Sequence, residues 1–140
     1  FFFCPHSENP KIYNGTDVWA SEDLDELSNS RDLYPAVHRK FLINNILHIL
    51  WVAGKHTHIG INKAAKQICL GTDFDGLINA IDCCKNAGEL QQLKHDLREE
   101  LAQGLNDNGF GTLDVDVLLD DIFYNNGKNF MLKRLKEMKG

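Results

Sequence analysis

Asp73 and Asp75 flank Phe74 in the stretch LGTDFDG, after the apolar run Ile68 to Leu70 and just before Gly76. Two carboxylates one residue apart at a glycine suit four tasks: holding a cation, attacking phosphorus, moving a proton, or fixing a turn. In an extended chain alternate residues share a face. Cys69, Gly71 and Asp73 then point one way, and Ile68, Leu70 and Thr72 the other. One face is small and ends in a carboxylate, while the other is bulky and apolar. That asymmetry fits a barrel strand whose large residues meet outer helices. Asp73 would then stand at the C-terminal end of the strand, where barrel enzymes keep their chemistry.

A calcium loop beginning at Asp73 needs Gly at its sixth place and Glu at its twelfth. Those places hold Ile78 and Cys84, so that reading fails. His56 and His58 form the other tempting pair, but they precede the apolar run IGI and would sit at the wrong edge of a strand. They read as surface-loop residues, and His48, inside a helical pattern, as a structural histidine. His6, His38 and His95 have no partner in the local pattern. Cys4, Cys69, Cys83 and Cys84 lack any C-x-x-C spacing for zinc. The adjacent pair favours free thiols over a strained ring, which suits reduced packing residues in a cytoplasmic protein.

The elements that must position the acidic pair read mostly as helices. Residues 1–4 (FFFC) look like a strand cut from a sheet, so the chain is expected to be the tail of a longer protein. Residues 5–33 read as a long polar loop with a short turn of helix at Asp23 to Leu27. A helix starts near Pro35 and runs to about Ala53, with Val37, Phe41, Ile46, Ile49, Leu50 and Ala53 as its stripe and Gly54 closing it. Residues 55–66 are ambiguous, and QICLGTD is a short strand. Asn86 and Glu89 form a capping pair for a helix that carries Leu90, Leu93, Leu97 and Leu101 and stops at Gly104. After the turn cluster NDNGFGT, helices are expected over about 114–124 and 128–138, broken at NNG. In the second of these, Phe130, Met131 and Leu135 mark the apolar side.

Composition narrows the classes. The net charge of −5 and pI near 5.6 give no basic footprint for nucleic acid. No apolar run is long enough to span a bilayer.

Two resemblances follow from these residues. D-x-D-G after an apolar run looks like the haloacid dehalogenase phosphatases, magnesium enzymes in which Asp73 would be the nucleophile and the later LLDD, Leu118 to Asp121, would mimic an acidic motif. Against it, that fold needs further strands after the nucleophile, whereas residues 85–140 read as helices and turns. LLDD itself lies on a 3.6-residue period, where both carboxylates suit a solvated helix face.

The stronger resemblance is to the membrane (renal) dipeptidase family of zinc hydrolases in the amidohydrolase superfamily. LGTDFDG is similar to that family's G-S/T-D-F-D-G segment. HILWVAG (His48 to Gly54) looks like the helix before its last barrel strand, and IFYNNGKNF (Ile122 to Phe130) like its closing helix junction. The likeness spans roughly residues 45–135, with two departures: the insertion KHTHIGINKAAK, and Leu132 where an Arg is common. It implies an α/β fold, the C-terminal part of a (β/α)8 TIM barrel, locally mostly helical with one or two parallel strands. Residues 1–140 would then be the last strands and closing helices of a single barrel domain.

The resemblance further implies a dipeptide or related amide as substrate and two zinc ions in the whole protein. Their ligands are expected upstream, with none in this segment. Asp73 would take a proton from the attacking water and pass it to the leaving amine, while Phe74, Asp75 and Gly76 support the turn. A homodimer is compatible with it. Because such a barrel takes about 250 residues, the 140-residue chain alone is expected to hold no zinc and to be inactive. A non-catalytic helical interaction module with a purely structural acidic turn is the third reading.

Overall fold

Tyr34–Lys55 winds as the longest helix, α1. The computed structural model describes residues 34–55, 58–72, 74 and 81–138. The strand expected over residues 1–4, the loop over 5–33, and His6, His56, Asp73, Asp75 and Gly76 lie outside them. Phe41, Ile43, Ile46, Leu47, Leu50 and Ala53 of α1 are buried, whereas Ile49 and Val52 are exposed. One side of this apolar helix is therefore open. Gly54 does not close it: the helix continues to Lys55.

The ambiguous stretch becomes a short helix, α2 (Ile61–Ala65), entered through Gly60 at φ +69, a left-handed conformation that favours glycine. Ala64 and Ala65 turn inward, and α2 packs on α1.

Asn86 caps a single 3-10 turn (Ala87–Glu89): its Oδ1 accepts the Gly88 N–H at 2.9 Å, and Glu89 Oε2 accepts the Lys85 N–H at 2.7 Å. Helix α3 (Leu90–Asp107) follows and buries Leu93, Leu97, Leu101 and Leu105 against α1. Burying one leucine contributes about 1.5–3 kcal/mol, so this row holds much of the core. Gly104 is an interior residue here, not a stop. A Cβ at that position would lie 2.7 Å from Leu47 Cδ1, so the two helices approach through the missing side chain. Leu47 is only 2% exposed and has little room to yield. Gly104→Val is therefore expected to cost about 1–3 kcal/mol of stability by overpacking, read as a lower urea midpoint by circular dichroism.

Gly109, at φ +75, turns the chain and lets Phe110 back into the core. Asp114 accepts the N–H groups of Asp116 and Val117 and starts α4 (Val115–Asp120). One π turn (Asp121–Asn125) and α5 (Asn126–Glu137) continue without interruption. The break expected at NNG is absent, and the helix passes through it by widening one turn. Arg98 of α3 grips Asp116 through two bonds of 2.7 and 2.8 Å, and Lys94 reaches Asp120. The Arg98 hydrogen bonds hold the Asp116 carboxyl below its ordinary range. Water screens exposed pairs of this kind, so they orient α3 against α4 more than they stabilise.

The barrel expectation is overturned. Among the described residues there is no strand and no sheet; the elements are helices and turns around one core cluster drawn from α1 to α4 and the π turn. A parallel strand needs a neighbour with which to form a ladder, and residues 68–72 have none among the described residues. The Ile68 carbonyl and the Leu70 N–H bond to helical residues instead.

Candidate functional site

The chain that leads into the acidic pair is held from below. After α2, the Gln67 N–H closes a turn on the Ala64 carbonyl at 2.8 Å, and Ile68 enters the core. Asn126, only 5% exposed, donates its single Nδ2 group to two carbonyls, Ala65 O at 2.8 Å and Ile68 O at 2.9 Å. The Leu70 N–H donates to Ile122 O at 3.1 Å. Three backbone groups of residues 65–70 are thus satisfied by one helical turn almost sixty residues away, which offsets the cost of burying them.

The π turn makes this seat. The Asn126 N–H reaches back five residues to the Asp121 carbonyl, the wider spacing of a π helix. Ile122 and Asn126 then face the 65–70 segment together. Asp121 is buried, and its carboxylate takes the Lys66 ammonium on one oxygen and the Asn125 amide, at 3.3 Å, on the other. The expectation that both carboxylates of LLDD are solvated holds for Asp120, which is exposed, and fails for Asp121. A helical pattern shows which residues share a face, but not that Lys66 waits opposite.

The two faces read from the sequence of the 68–73 stretch do separate. Ile68 is buried and Leu70 half-buried against the core, while Cys69 and Gly71 face solvent. The large side chains meet helices as expected, but the small face looks into water and not into a crowded barrel. Thr72 is half-buried, and Phe74 packs against the core cluster. Phe74 thus serves as an anchor of the segment.

Beyond the acidic pair the chain is anchored again. His38 Nδ1, on α1, accepts the Asp82 N–H at 3.0 Å, with the Asp82 carboxylate 3.7 Å away and Lys85 3.8 Å from that carboxylate. Nothing near His38 in sequence signals this contact. His48 stacks on Trp51 at 6.2 Å, in keeping with a structural role, and His58 and His95 are exposed.

Cys69, Cys83 and Cys84 are free thiols. Burial pushes the Cys83 thiol up to about 11, and Cys84 moves the same way for the same cause. A thiol at about 11 is roughly a hundredfold poorer in thiolate at pH 8 than one at about 9. Cys83 should therefore resist iodoacetamide in the folded protein and react at the ordinary rate in urea, as mass spectrometry of timed samples would show. The raised value also favours the folded state below pH 9, an advantage lost as pH climbs from about 9 to about 11.

Among the described residues, no three His, Cys, Asp or Glu side chains converge to hold a metal ion, so they do not fit a zinc pair. No described helix is long and apolar enough to cross a membrane. No protein-family model, curated protein or solved structure matches the chain.

Proposed function

We infer that the chain supplies one reacting carboxylate, Asp73, to a metal-dependent hydrolase that cleaves dipeptides or related amides, with the metal ligands contributed from outside the described residues. The role of Asp73 is proton transfer: it accepts a proton from the attacking water and returns it to the nitrogen of the departing amine. Such a carboxylate must be held within a fraction of an ångström of its productive position. One observation carries the reading. The described residues next to the acidic pair are held, with Asn126 clamping the Ile68 carbonyl and Phe74 packed on the core. The motif LGTDFDG supplies the chemical identity. The experiment is turnover of a panel of dipeptides by the polypeptide that carries the remaining site groups, with Asp73 and with Asp73→Asn. Loss of turnover with folding intact supports the role, and an unchanged rate rejects it.

A second reading, a helical interaction module, is favoured by α5. Its apolar side chains Phe130, Met131, Leu132 and Leu135 are about half exposed or more, between 46% and 58%, as a binding helix would require. Under that reading the acidic turn is structural, and Asp73→Asn leaves any hydrolytic rate unchanged.

A further inference from the structure

Asn-Gly occurs at residues 14–15, 108–109 and 126–127. The pair is chemically labile, because glycine leaves its own amide nitrogen uncrowded and lets the backbone bend. At 126–127 the reaction would run as follows. The Gly127 nitrogen bonds to Asn126 Cγ, the Cγ–Nδ2 bond breaks, and Nδ2 leaves as ammonia with the proton lost from Gly127. Water then opens the cyclic imide at either carbonyl, leaving aspartate or isoaspartate. The fold opposes this step twice. Asn126 Nδ2 is fixed on Ala65 O and Ile68 O in a site only 5% exposed. The Asn126 backbone is also helical, at φ −64 and ψ −45. The imide needs Cβ and the Gly127 nitrogen nearly eclipsed about the Cα–C bond, which a helical ψ excludes.

That protection is conditional. Asn-Asn-Gly is poor helix material, since asparagine competes for its own backbone and glycine is easily unwound. The helix runs through these residues while the 65–70 segment occupies the Asn126 amide. When that segment lifts, Nδ2 loses both acceptors, and Asn126–Gly127 can leave the helical conformation. We propose that Asn126–Gly127 is a deamidation site guarded by the 65–70 segment, so that opening of this seat is recorded covalently.

The product locks the opened state. A carboxylate at position 126 has no proton to give, so it faces the Ala65 and Ile68 carbonyls as one acceptor against two. Isoaspartate also inserts a methylene into the main chain, which a helical turn cannot absorb. The residues that lead into Asp73 thereby lose their clamp. Asn108–Gly109 is a different case. Asn108 Nδ2 bonds the Gly104 carbonyl four residues back at 2.8 Å, so that site reports only the end of α3.

The test holds the 140-residue protein at mildly alkaline pH in buffer, in urea below the unfolding transition and in denaturing urea. Peptide mapping by mass spectrometry follows the amide at each Asn-Gly. Loss at Asn126 should be about tenfold or more slower in buffer than in denaturing urea, because only the opened fraction reacts. It should already rise in urea that leaves the α3 amides protected from exchange. Gly127→Ala should slow it even in denaturing urea, since a methyl group crowds the attacking nitrogen. The added Cβ meets nothing within 4 Å among the described residues, and alanine suits a helix, so the fold is kept. The proposal is overturned if Asn126 is lost as fast in buffer as in denaturing urea, if it survives denaturing urea, or if its loss rises only as α3 unfolds. It is equally overturned if Gly127→Ala ages at the parent's rate, or if aged molecules with aspartate or isoaspartate at 126 keep the parent's amide protection at Leu70.

Discussion

Asp73→Asn is expected to lower dipeptide turnover by about 10²–10⁴-fold, the usual contribution of a positioned general acid–base group. The amide is nearly isosteric with the carboxylate, so packing is preserved while proton acceptance is lost. The fall should appear in kcat with KM little changed, because a proton carrier acts in the transition state and not in holding the ground-state substrate. Asp75→Asn, by contrast, should leave most of the rate if that residue only supports the turn. Parallel thermal melts separate chemistry from folding: equal melting temperatures with unequal rates assign the loss to the carboxylate. A mutant as fast as its parent would leave the helical-module reading standing.

Asn126→Leu should be the most damaging single change away from the leucine row. Leucine restores the volume but no donor, so the carbonyls of Ala65 and Ile68 lose their shared N–H in a nearly dry site. Each stranded acceptor costs about 1–3 kcal/mol, so the pair together approaches the marginal stability of a small domain. Urea unfolding followed by circular dichroism is the measurement. Asn126→Asp should do similar harm, because it replaces the donor with a third acceptor facing two others. Loss restricted to the 65–70 segment would show as rapid amide exchange at Leu70 while the α3 amides stay protected.

The parts of this fold legible from sequence are those made by neighbours along the chain. The row Leu93, Leu97, Leu101 repeats at helical spacing, and the Asn86–Glu89 cap closes within four residues, so both can be read locally. Leu105 escaped because Gly104 before it resembles a helix stop. In the folded chain that glycine instead makes room for Leu47, and its reason lies 57 residues away. Asn125-Asn126-Gly127 looks like a break for the same cause. The Asn126 side chain would normally compete with its own helix, but here it is engaged with Ala65 and Ile68, which leaves the helix intact. The strand expectation failed at one step only. The alternation of Ile68 and Leu70 with Cys69 and Gly71 is present in the fold, but alternation fixes the faces of a segment and says nothing about whether a second strand lies alongside. The acidic pair was legible as a cluster of chemical groups, and its supports, Asn126, Lys66 and His38, were not, because each acts across a long loop.

The run before Thr72 has an unequal fabric. On its inner side, Leu70 has its amide tied to Ile122; on its outer side, Cys69 and Gly71 are exposed, with no β-neighbour among the described residues. Among the described residues, one rail of this run is bonded to helices and the other meets no strand. Open rails of this kind recruit extended peptide from elsewhere. At high concentration the first intermolecular pairing should therefore begin here, and Cys69→Lys or Gly71→Pro would delay turbidity while leaving the helical core untouched.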